Sequence, residues 1–466
     1  YLATLSFNLT FFSMNTIKII SSNGNRYCYD IQSGILNSID TERNYTIHSQ
    51  KFNNSMFKLS ITEEDIIHQL TNSPQIVFEV TERCNLQCKY CIYSECYETH
   101  TKRTGKDLSE NDAKQVIDYV CNLCEQYNTK STNITISFYG GEPLLRFNFI
   151  KEIIQYVEHK WNNFNICFNM TTNATLLKGE IVDYLAEKNV KLLISLDGNR
   201  ENNSYRVYKN GNSSFDDIIK NIDDLQNKYP SYFPTKIDFN TVLHNKNSTK
   251  EATDFIFSKY QKKTILSELA IDGVKNEYKK EFIDMYKNTL EGIRQEDYSV
   301  IFTNDNLRQL PSFRDAIFFI YNETPYIYAS FIELFFNRVK LWKPTGTCIP
   351  FGRKIFVSSN GNIYPCESVP HRITFGQIIN NKLIINFTEI AKKYNQIMSV
   401  INKQCTKCYR KYNCGQCVYF LKSSNEYYCE GFMGKEAFIK YITDIVDFFE
   451  NNQDAYRKII EEISLS

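Results

Sequence analysis

Three cysteines within eight residues are the first feature of this 466-residue chain that could do chemistry. They occur in the stretch CNLQCKYC, as Cys84-x3-Cys88-x2-Cys91. Three thiolates on one loop can each bind one iron of a [4Fe–4S] cluster, which would leave the fourth iron without a protein ligand. Zinc is the alternative, but zinc normally takes four ligands, and the nearest further thiol, Cys96, follows at an odd spacing. The loop therefore favours an iron–sulfur site with one open position.

The residues that follow predict a repeated β–α unit. Short apolar runs alternate with amphipathic helical patterns through about two hundred residues. The predicted strands are 75–81, 133–140, 165–173, 190–198, 236–245 and 264–273. The predicted helices between them are 109–127, 149–161, 179–189, 215–229 and 249–260. This alternation predicts an α/β fold with a parallel sheet, open or closed into a barrel. The cysteine loop then lies at the carboxyl end of a strand, where barrel enzymes place their chemistry.

Three further strands lead into segments that could bind a ligand. These segments are YGGEPLL (139–145), TTNATLL (171–177) and SLDG (195–198). Gly140 and Gly141 allow a close backbone approach, and Glu142 offers an acceptor for an ammonium group. A plain turn is the alternative for YGGEPLL, but its position at the end of a strand favours a site.

Together these segments resemble the radical SAM superfamily, whose hallmark is C-x3-C-x-aromatic-C, with Tyr90 as the aromatic residue. The resemblance covers roughly residues 76–430. It implies a partial (β/α)6 barrel in which a [4Fe–4S] cluster on Cys84, Cys88 and Cys91 binds S-adenosylmethionine (SAM). One electron would cleave SAM to a 5′-deoxyadenosyl radical, which would remove a hydrogen from the substrate.

The same resemblance implies which residues contact SAM. The family's glycine-rich contact to the SAM amino group corresponds to Gly140, Gly141 and Glu142. The other expected cofactor contacts are Tyr90, Asn173, Ser195 and Arg206. The family's TNGTLL is TTNATLL here, so Ala174 stands where glycine is usual.

The C-terminal third contains seven further clustered cysteines. They are Cys348, Cys366, Cys405, Cys408, Cys414, Cys417 and Cys429. Zinc ribbons separate their CxxC pairs by roughly 12–20 residues, whereas five residues separate the pairs here. Zinc would also leave three of the seven without a role, and a disulfide staple is disfavoured in a reducing compartment.

This pattern resembles the SPASM domain, which holds two auxiliary iron–sulfur clusters, and we expect both clusters to be of the [4Fe–4S] type. The resemblance assigns the ligands of one cluster as Cys405, Cys408, Cys414 and Cys429. It assigns those of the other as Cys348, Cys366 and Cys417. Two residues separate Cys414 from Cys417 where the family usually has three. The second cluster would keep an open iron, unless Cys96, Cys28 or another distant thiol reaches it.

An open auxiliary iron could bind a substrate thiolate, because metal coordination deprotonates and positions a thiol. We therefore expect a peptide maturase that forms Cys thioether cross-links, of the sactipeptide or ranthipeptide type, in a ribosomally made precursor. A sulfatase-type maturase that makes formylglycine is the alternative, although the extra auxiliary ligand expected of it is missing before Cys348. From another class, a non-catalytic iron–sulfur electron carrier would need no SAM pocket.

Composition limits the partners and location. With 54 basic and 53 acidic side chains, the chain is not expected to bind nucleic acid or a membrane surface. The 15 cysteines without an export signal predict a cytoplasmic protein. A precursor peptide and a reductase or flavodoxin/ferredoxin-type electron donor are the expected partners.

Five regions are expected along the chain. They are a leader-recognition-like segment (14–74), the radical SAM partial barrel (75–275), a helical bridge (276–345), the SPASM domain (346–432) and C-terminal helices (433–466).

Overall fold

The computed structural model describes a large part of the chain. The described residues are 16–31, 34–39, 60–73, 75–97, 103–127, 133–161, 164–270, 273–286, 315–316, 319–320, 349–367, 369, 371, 373–411, 417–420, 422–423, 427–429, 431–452 and 455. Cys348, Cys414 and most of the expected helical bridge lie outside them.

The strands and helices follow the chain in this order. The strands are β1 (Thr16–Ile20), β2 (Arg26–Asp30), β3 (Leu36–Ser38), β4 (Gln75–Thr81), β5 (Asn133–Gly140), β6 (Asn165–Thr172), β7 (Lys191–Ser195), β8 (Ile237–Leu243), β9 (Thr264–Glu268), β10 (Ile355–Val357), β11 (Asn362–Tyr364), β12 (Gly376–Ile379), β13 (Lys382–Ile385), β14 (Lys422–Ser423) and β15 (Tyr427–Tyr428). The helices are α1 (Glu63–Thr71), α2 (Glu110–Gln126), α3 (Phe147–Lys160), α4 (Glu180–Glu187), α5 (Phe215–Lys228), α6 (Phe233–Lys236), α7 (Thr249–Tyr260), α8 (Lys279–Met285), α9 (Phe387–Cys405) and α10 (Lys435–Asn451).

The chain divides into two compact units. The barrel unit comprises residues 61–301 and 348–394, and the terminal unit comprises residues 1–60, 302–347 and 395–466.

A parallel sheet forms the centre of the barrel unit. Strands β4 to β9 neighbour one another in chain order, and each pair is parallel. Helices α2, α3, α4, α5 and α7 connect them. Each helix buries an apolar stripe, such as Ala113, Val116 and Ile117 of α2. The predicted α/β class is therefore confirmed, and all six predicted strands are present.

The same sheet continues through residues after the expected barrel. Strand β10 pairs in parallel with β4, and β11, β12 and β13 follow as antiparallel neighbours. Ile355, Phe356 and Val357 of β10 are buried, and they lie opposite residues 76–78. These short strands were not predicted, because three apolar residues carry no period that separates a strand from a loop.

Helix α1 starts at a capping box formed by Thr62 and Asp65. The backbone N–H of Asp65 donates to Thr62 Oγ1 at 3.2 Å, and the N–H of Thr62 donates to Asp65 Oδ2 at 2.9 Å. These bonds satisfy two amide groups that a helix start leaves without partners.

The terminal unit contains a three-stranded antiparallel meander and a long helix. Strands β1, β2 and β3 are antiparallel in that order. Three side chains of this meander donate to Glu450 of α10, namely Asn23 at 2.8 Å, Asn25 at 3.0 Å and Tyr27 at 2.6 Å. These hydrogen bonds fix the first hairpin against the end of α10. Among the described helices, none is long and apolar enough to cross a membrane.

Candidate iron–sulfur and cofactor site

The cysteine loop begins three residues after β4 ends. The N–H of Leu86 donates to Cys84 Sγ at 3.4 Å, and the N–H of Cys91 donates to the Cys88 carbonyl at 3.2 Å. These contacts fold Cys84, Cys88 and Cys91 into one compact loop at the carboxyl end of the strand.

Burial dominates the acid–base behaviour of the three thiols. It raises the pKa of Cys84 to about 11 and that of Cys88 to about 12, and it also raises the pKa of Cys91. The charges of the neighbouring thiolates raise them further. Three half-buried thiols with raised pKa values fit a metal centre, because a bound metal ion replaces their protons and compensates the thiolate charge.

The donor set matches a cluster better than a single ion. Within the parts of the chain that the structure describes, no three His, Cys, Asp or Glu side chains are placed to hold one metal ion. Thiolates that bind separate irons of a [4Fe–4S] cluster need not converge on one point.

Gly140 and Gly141 position this loop through direct backbone contact. The N–H of Gly141 donates to the Thr81 carbonyl at 2.8 Å, and that of Glu142 donates to the Arg83 carbonyl at 2.9 Å. A Cβ on Gly140 would lie 2.5 Å from the Thr81 oxygen, and one on Gly141 would lie 2.0 Å from the Arg83 oxygen. Only glycine permits this approach, so the segment after β5 sets the path of the chain into Cys84.

Glu142 is buried against the end of β6. Its carboxylate accepts from Thr172 Oγ1 and the Asn173 N–H, each at 2.8 Å, and from the Leu144 N–H at 3.1 Å. Burial raises its pKa to about 7, although these hydrogen bonds act in the opposite direction. The carboxylate thus joins β5 to β6 beside the cysteine loop, and its contact with SAM stays a prediction.

Asn173 lies against the cysteine loop itself. Its Nδ2 donates to Asn85 Oδ1 at 3.0 Å and lies 3.8 Å from Cys84 Sγ. Its Oδ1 accepts from the Thr175 hydroxyl at 2.6 Å. Ala174, the next residue, has a φ of 62°, which is the left-handed region that favours glycine. The glycine usual in the resembling family would therefore fit this turn without strain.

Tyr90 belongs to a cluster of buried polar side chains, and the sequence predicted only some of its members. Its hydroxyl donates to Asp197. Arg206 also binds Asp197, through Nε at 3.0 Å and Nη2 at 3.2 Å. His244 stacks on the Tyr90 ring at 5.6 Å between centroids. Tyr90 and Arg206 were predicted and do come together, whereas Asp197 and His244 were not predicted. An aspartate directly after an apolar strand was the signal that could have found Asp197.

Two acidic residues around the end of β4 were missed as well. Glu79 lies 2.6 Å from Arg103 and accepts from the Ser359 N–H at 3.1 Å. Glu82 accepts from the N–H groups of residues 104–106 at 2.7, 2.9 and 3.1 Å, and from Ser359 Oγ at 3.2 Å. They join β4 to the turn between β10 and β11. A charged residue inside the apolar run QIVFEVT was the available signal.

Ser195 ends β7 beside a polar cavity inside the sheet. Its register partner on β8 is Asn240, which lines a cavity of about 420 Å³. Other polar residues that line this cavity are Gln75, Ser137, Asn169, Thr171, Lys191, Asp238, Lys354 and Glu367. The cavity lies inside the sheet, and its lining includes none of the three cysteines of the loop.

The C-terminal cysteines fall in both units. Cys366 belongs to the barrel unit, and Cys405, Cys408, Cys417 and Cys429 belong to the terminal unit. Within the terminal unit, the Cys429 N–H donates to the side chain of Gln404 at 3.0 Å, next to Cys405. The Met433 N–H donates to Cys408 Sγ at 3.5 Å. These contacts bring three of the four thiols predicted for one auxiliary cluster to the same region.

A family model decides the identity of the barrel. Residues 78–256 match the model of the radical SAM superfamily. This segment of the chain is therefore a radical SAM domain.

Relatives and solved structures agree with this assignment. The chain is 30% identical over 192 residues to a cysteine-type anaerobic sulfatase-maturating enzyme of Clostridium novyi. This match covers 40% of this chain and 47% of that protein. It is 28% identical over 170 residues to the radical SAM cyclopropyl synthase TigE of Paramaledivibacter caminithermalis. This match covers 35% of this chain and 34% of that protein. The chain thus spans half or less of these relatives.

A solved structure of native anSMEcpe with bound AdoMet and Kp18Cys peptide has a similar fold, with a TM-score of 0.52 at 17% identity. The likeness covers 84% of this chain and 99% of that one. It extends beyond the radical SAM barrel into the C-terminal region.

The backbone contact at Gly141 yields a first prediction. We expect Gly141→Ala to cost about 1–3 kcal/mol, because the added Cβ collides with the Arg83 carbonyl. A lowered midpoint of thermal unfolding and a lower iron content after anaerobic reconstitution should report this. Gly434→Ala is the matched control, since its Cβ would meet nothing closer than 3.7 Å. Equal behaviour of the two variants would contradict the packing argument.

The strained turn at Ala174 yields a second prediction. Ala174→Gly removes about 1–2 kcal/mol of backbone strain from the folded state. The greater chain entropy of glycine stabilises the unfolded state by about 0.5–1 kcal/mol, which acts in the opposite direction. We expect the midpoint of thermal unfolding to rise slightly or stay unchanged. Ala186→Gly, inside α4, should instead cost about 1 kcal/mol. If both variants lose the same stability, Ala174 carries no strain.

Glu142 predicts a pH dependence of stability. Its pKa is about 7 in the folded protein, against an ordinary value of 4.5. Between these values the folded state binds the extra proton, so the protein should lose about 3 kcal/mol as the pH rises from about 4.5 to about 7. Glu142→Gln cannot ionise, so the wild type should lose stability relative to it over this range. Thermal unfolding of the wild type and of Glu142→Gln at pH 5 and pH 8 measures the difference in stability between them. A difference that does not change with pH would show that the carboxylate is already ionised in the folded protein at pH 5.

Proposed function

We propose that this chain is a radical SAM maturase that installs Cys thioether cross-links in a ribosomally made precursor peptide. The observation that carries the proposal is the loop of three half-buried thiols at the carboxyl end of β4. Its position is fixed by the backbone contact with Gly140 and Gly141, and it lies within the segment that matches the superfamily model.

The residues present fit a [4Fe–4S] cluster with SAM. Cys84, Cys88 and Cys91 would hold the cluster, and such a cluster with SAM supplies one-electron reductive cleavage to a 5′-deoxyadenosyl radical when bound. The proposed SAM contacts are Tyr90, Gly140, Gly141, Glu142, Asn173, Ser195 and Arg206.

The peptide substrate is supported by the relatives. Two of them are named a sulfatase-maturating enzyme and a cyclopropyl synthase, and the solved structure of similar fold contains a peptide. For the thioether, the support is the cysteine pattern of the C-terminal third. In our proposal Cys405, Cys408, Cys414 and Cys429 hold one auxiliary cluster. The other cluster, on Cys348, Cys366 and Cys417, keeps an open iron that could bind a substrate thiolate.

Formylglycine formation is the second candidate. The similarity to the cysteine-type sulfatase-maturating enzyme favours it.

The remaining parts of the proposal are a cytoplasmic location, a reductase or flavodoxin/ferredoxin-type electron donor, and recognition of the peptide leader by the β1–β3 meander.

Anaerobic assays separate these functions. We expect the reduced, reconstituted protein to release 5′-deoxyadenosine from SAM, and Cys84→Ala to abolish this release. Co-expression with a Cys-containing precursor peptide should give a product that has lost two hydrogens for each cross-link. A product that has lost sulfur would indicate formylglycine and contradict the thioether. Absence of 5′-deoxyadenosine from an iron-loaded protein would contradict radical SAM activity altogether.

A further inference from the structure

Arg206 lies beside the cysteine loop with all of its donor nitrogens directed to two partners. Nε and Nη2 bind the two carboxylate oxygens of Asp197, and Nη1 lies 4.0 Å from Cys88 Sγ. Arg206 is 6% exposed and Asp197 is fully buried. The guanidinium therefore holds a fixed orientation, with one N–H edge toward a thiol of the predicted cluster.

Asp197 is held by donors from several strand ends. Besides Arg206, the Tyr90 hydroxyl and the Val242 N–H donate to it, the latter at 3.0 Å. His244 Nε2 lies 3.6 Å away, which is long for a hydrogen bond. Although burial alone would raise it, Arg206 and these neighbours lower the pKa of Asp197. The carboxylate is thus ionised, and the pair is a buried dipole.

Arg206, the positive end of this dipole, acts on Cys88 more strongly than Asp197, the negative end. Of the two charges, the guanidinium is the one that faces Cys88, with Nη1 4.0 Å from Sγ, while Nε and Nη2 face Asp197. Charges in a buried site are poorly screened by solvent and salt. A positive charge near a cluster thiolate stabilises the reduced form, which carries one more negative charge, and so raises the reduction potential.

We propose that the buried Asp197–Arg206 pair sets the reduction potential of the cluster on Cys84, Cys88 and Cys91, through the N–H edge of Arg206 beside Cys88. Asp197 is a positioning residue, because it acts by orienting Arg206 and by partly offsetting its charge. This inference rests on the proposed function, since it requires a cluster at these cysteines. It gives Arg206 a role at the cluster in addition to the SAM contact proposed above.

Two variants should move the potential in opposite directions. Arg206→Gln removes the positive charge and leaves Asp197, so the cluster should be harder to reduce. Asp197→Asn leaves Arg206 without its counter-charge, so the cluster should be easier to reduce. At a fixed potential near the midpoint, each should change the ratio of reduced to oxidised cluster about tenfold, which is about 59 mV for a one-electron couple.

The test is an anaerobic redox titration of the reconstituted full chain without SAM, followed by electron paramagnetic resonance and with iron content measured in parallel. Arg200→Gln is the matched control, because Arg200 forms an exposed pair with Asp216. It should leave the potential unchanged. Tyr90→Phe removes a hydrogen bond to Asp197 without changing charge, and its shift should be smaller than that of either charge variant.

The double variant Arg206→Gln/Asp197→Asn protects the test against misfolding, because it leaves no unpaired buried charge. Its potential should lie between those of the two single variants. Shifts of the same sign in both single variants, or no shift while iron content is normal, would overturn the inference. A wild-type protein that takes up no cluster would instead overturn the proposed function, so the two failures are distinguishable.

Discussion

The contact between two backbones at the ends of β4 and β5 is the constraint on which the site depends. Residues 81–83 and 140–142 share two hydrogen bonds, and neither glycine has space for a side chain. This contact determines where the chain can turn into Cys84. Asn173 and Asn85 complete it from the end of β6, so three adjacent strand ends fix the first thiol. A parallel sheet provides such neighbours without long connections, since its strand ends meet along one edge.

Around this contact the protein buries charge. Glu79, Glu82, Glu142 and Asp197 are all buried, and each is stabilised differently. Glu79 and Asp197 face arginines, whereas Glu82 and Glu142 are held mainly by neutral donors. Even Glu82 and Glu142, which neutral donors hold, differ from each other in acid–base behaviour. The pKa of Glu142 is raised by burial, whereas that of Glu82 is lowered, because three backbone N–H groups offset the cost of its partial burial.

Sequence reasoning found the sheet and the cysteine loop because both have local signals. Apolar runs with a fixed alternation predicted β4 to β9, and the spacing of three cysteines predicted the loop. Asp197, His244 and Glu79 were missed because their importance comes from neighbours distant in the chain. Asp197 meets Tyr90 across 107 residues. Strand β10 was missed for the same reason, since its pairing with β4 is decided by a neighbouring strand and not by its own three residues.

The pairing of β10 with β4 also orders events during synthesis. Glu79 and its partner Ser359 are 280 residues apart, so the ribosome finishes most of the chain before this edge of β4 can be closed. Until then β4 has an open edge beside the cysteine loop, and Glu79 and Glu82 lack their contacts with Ser359. The nascent sheet therefore keeps one unpaired edge next to the cysteine loop until the C-terminal segment arrives and β10 closes it.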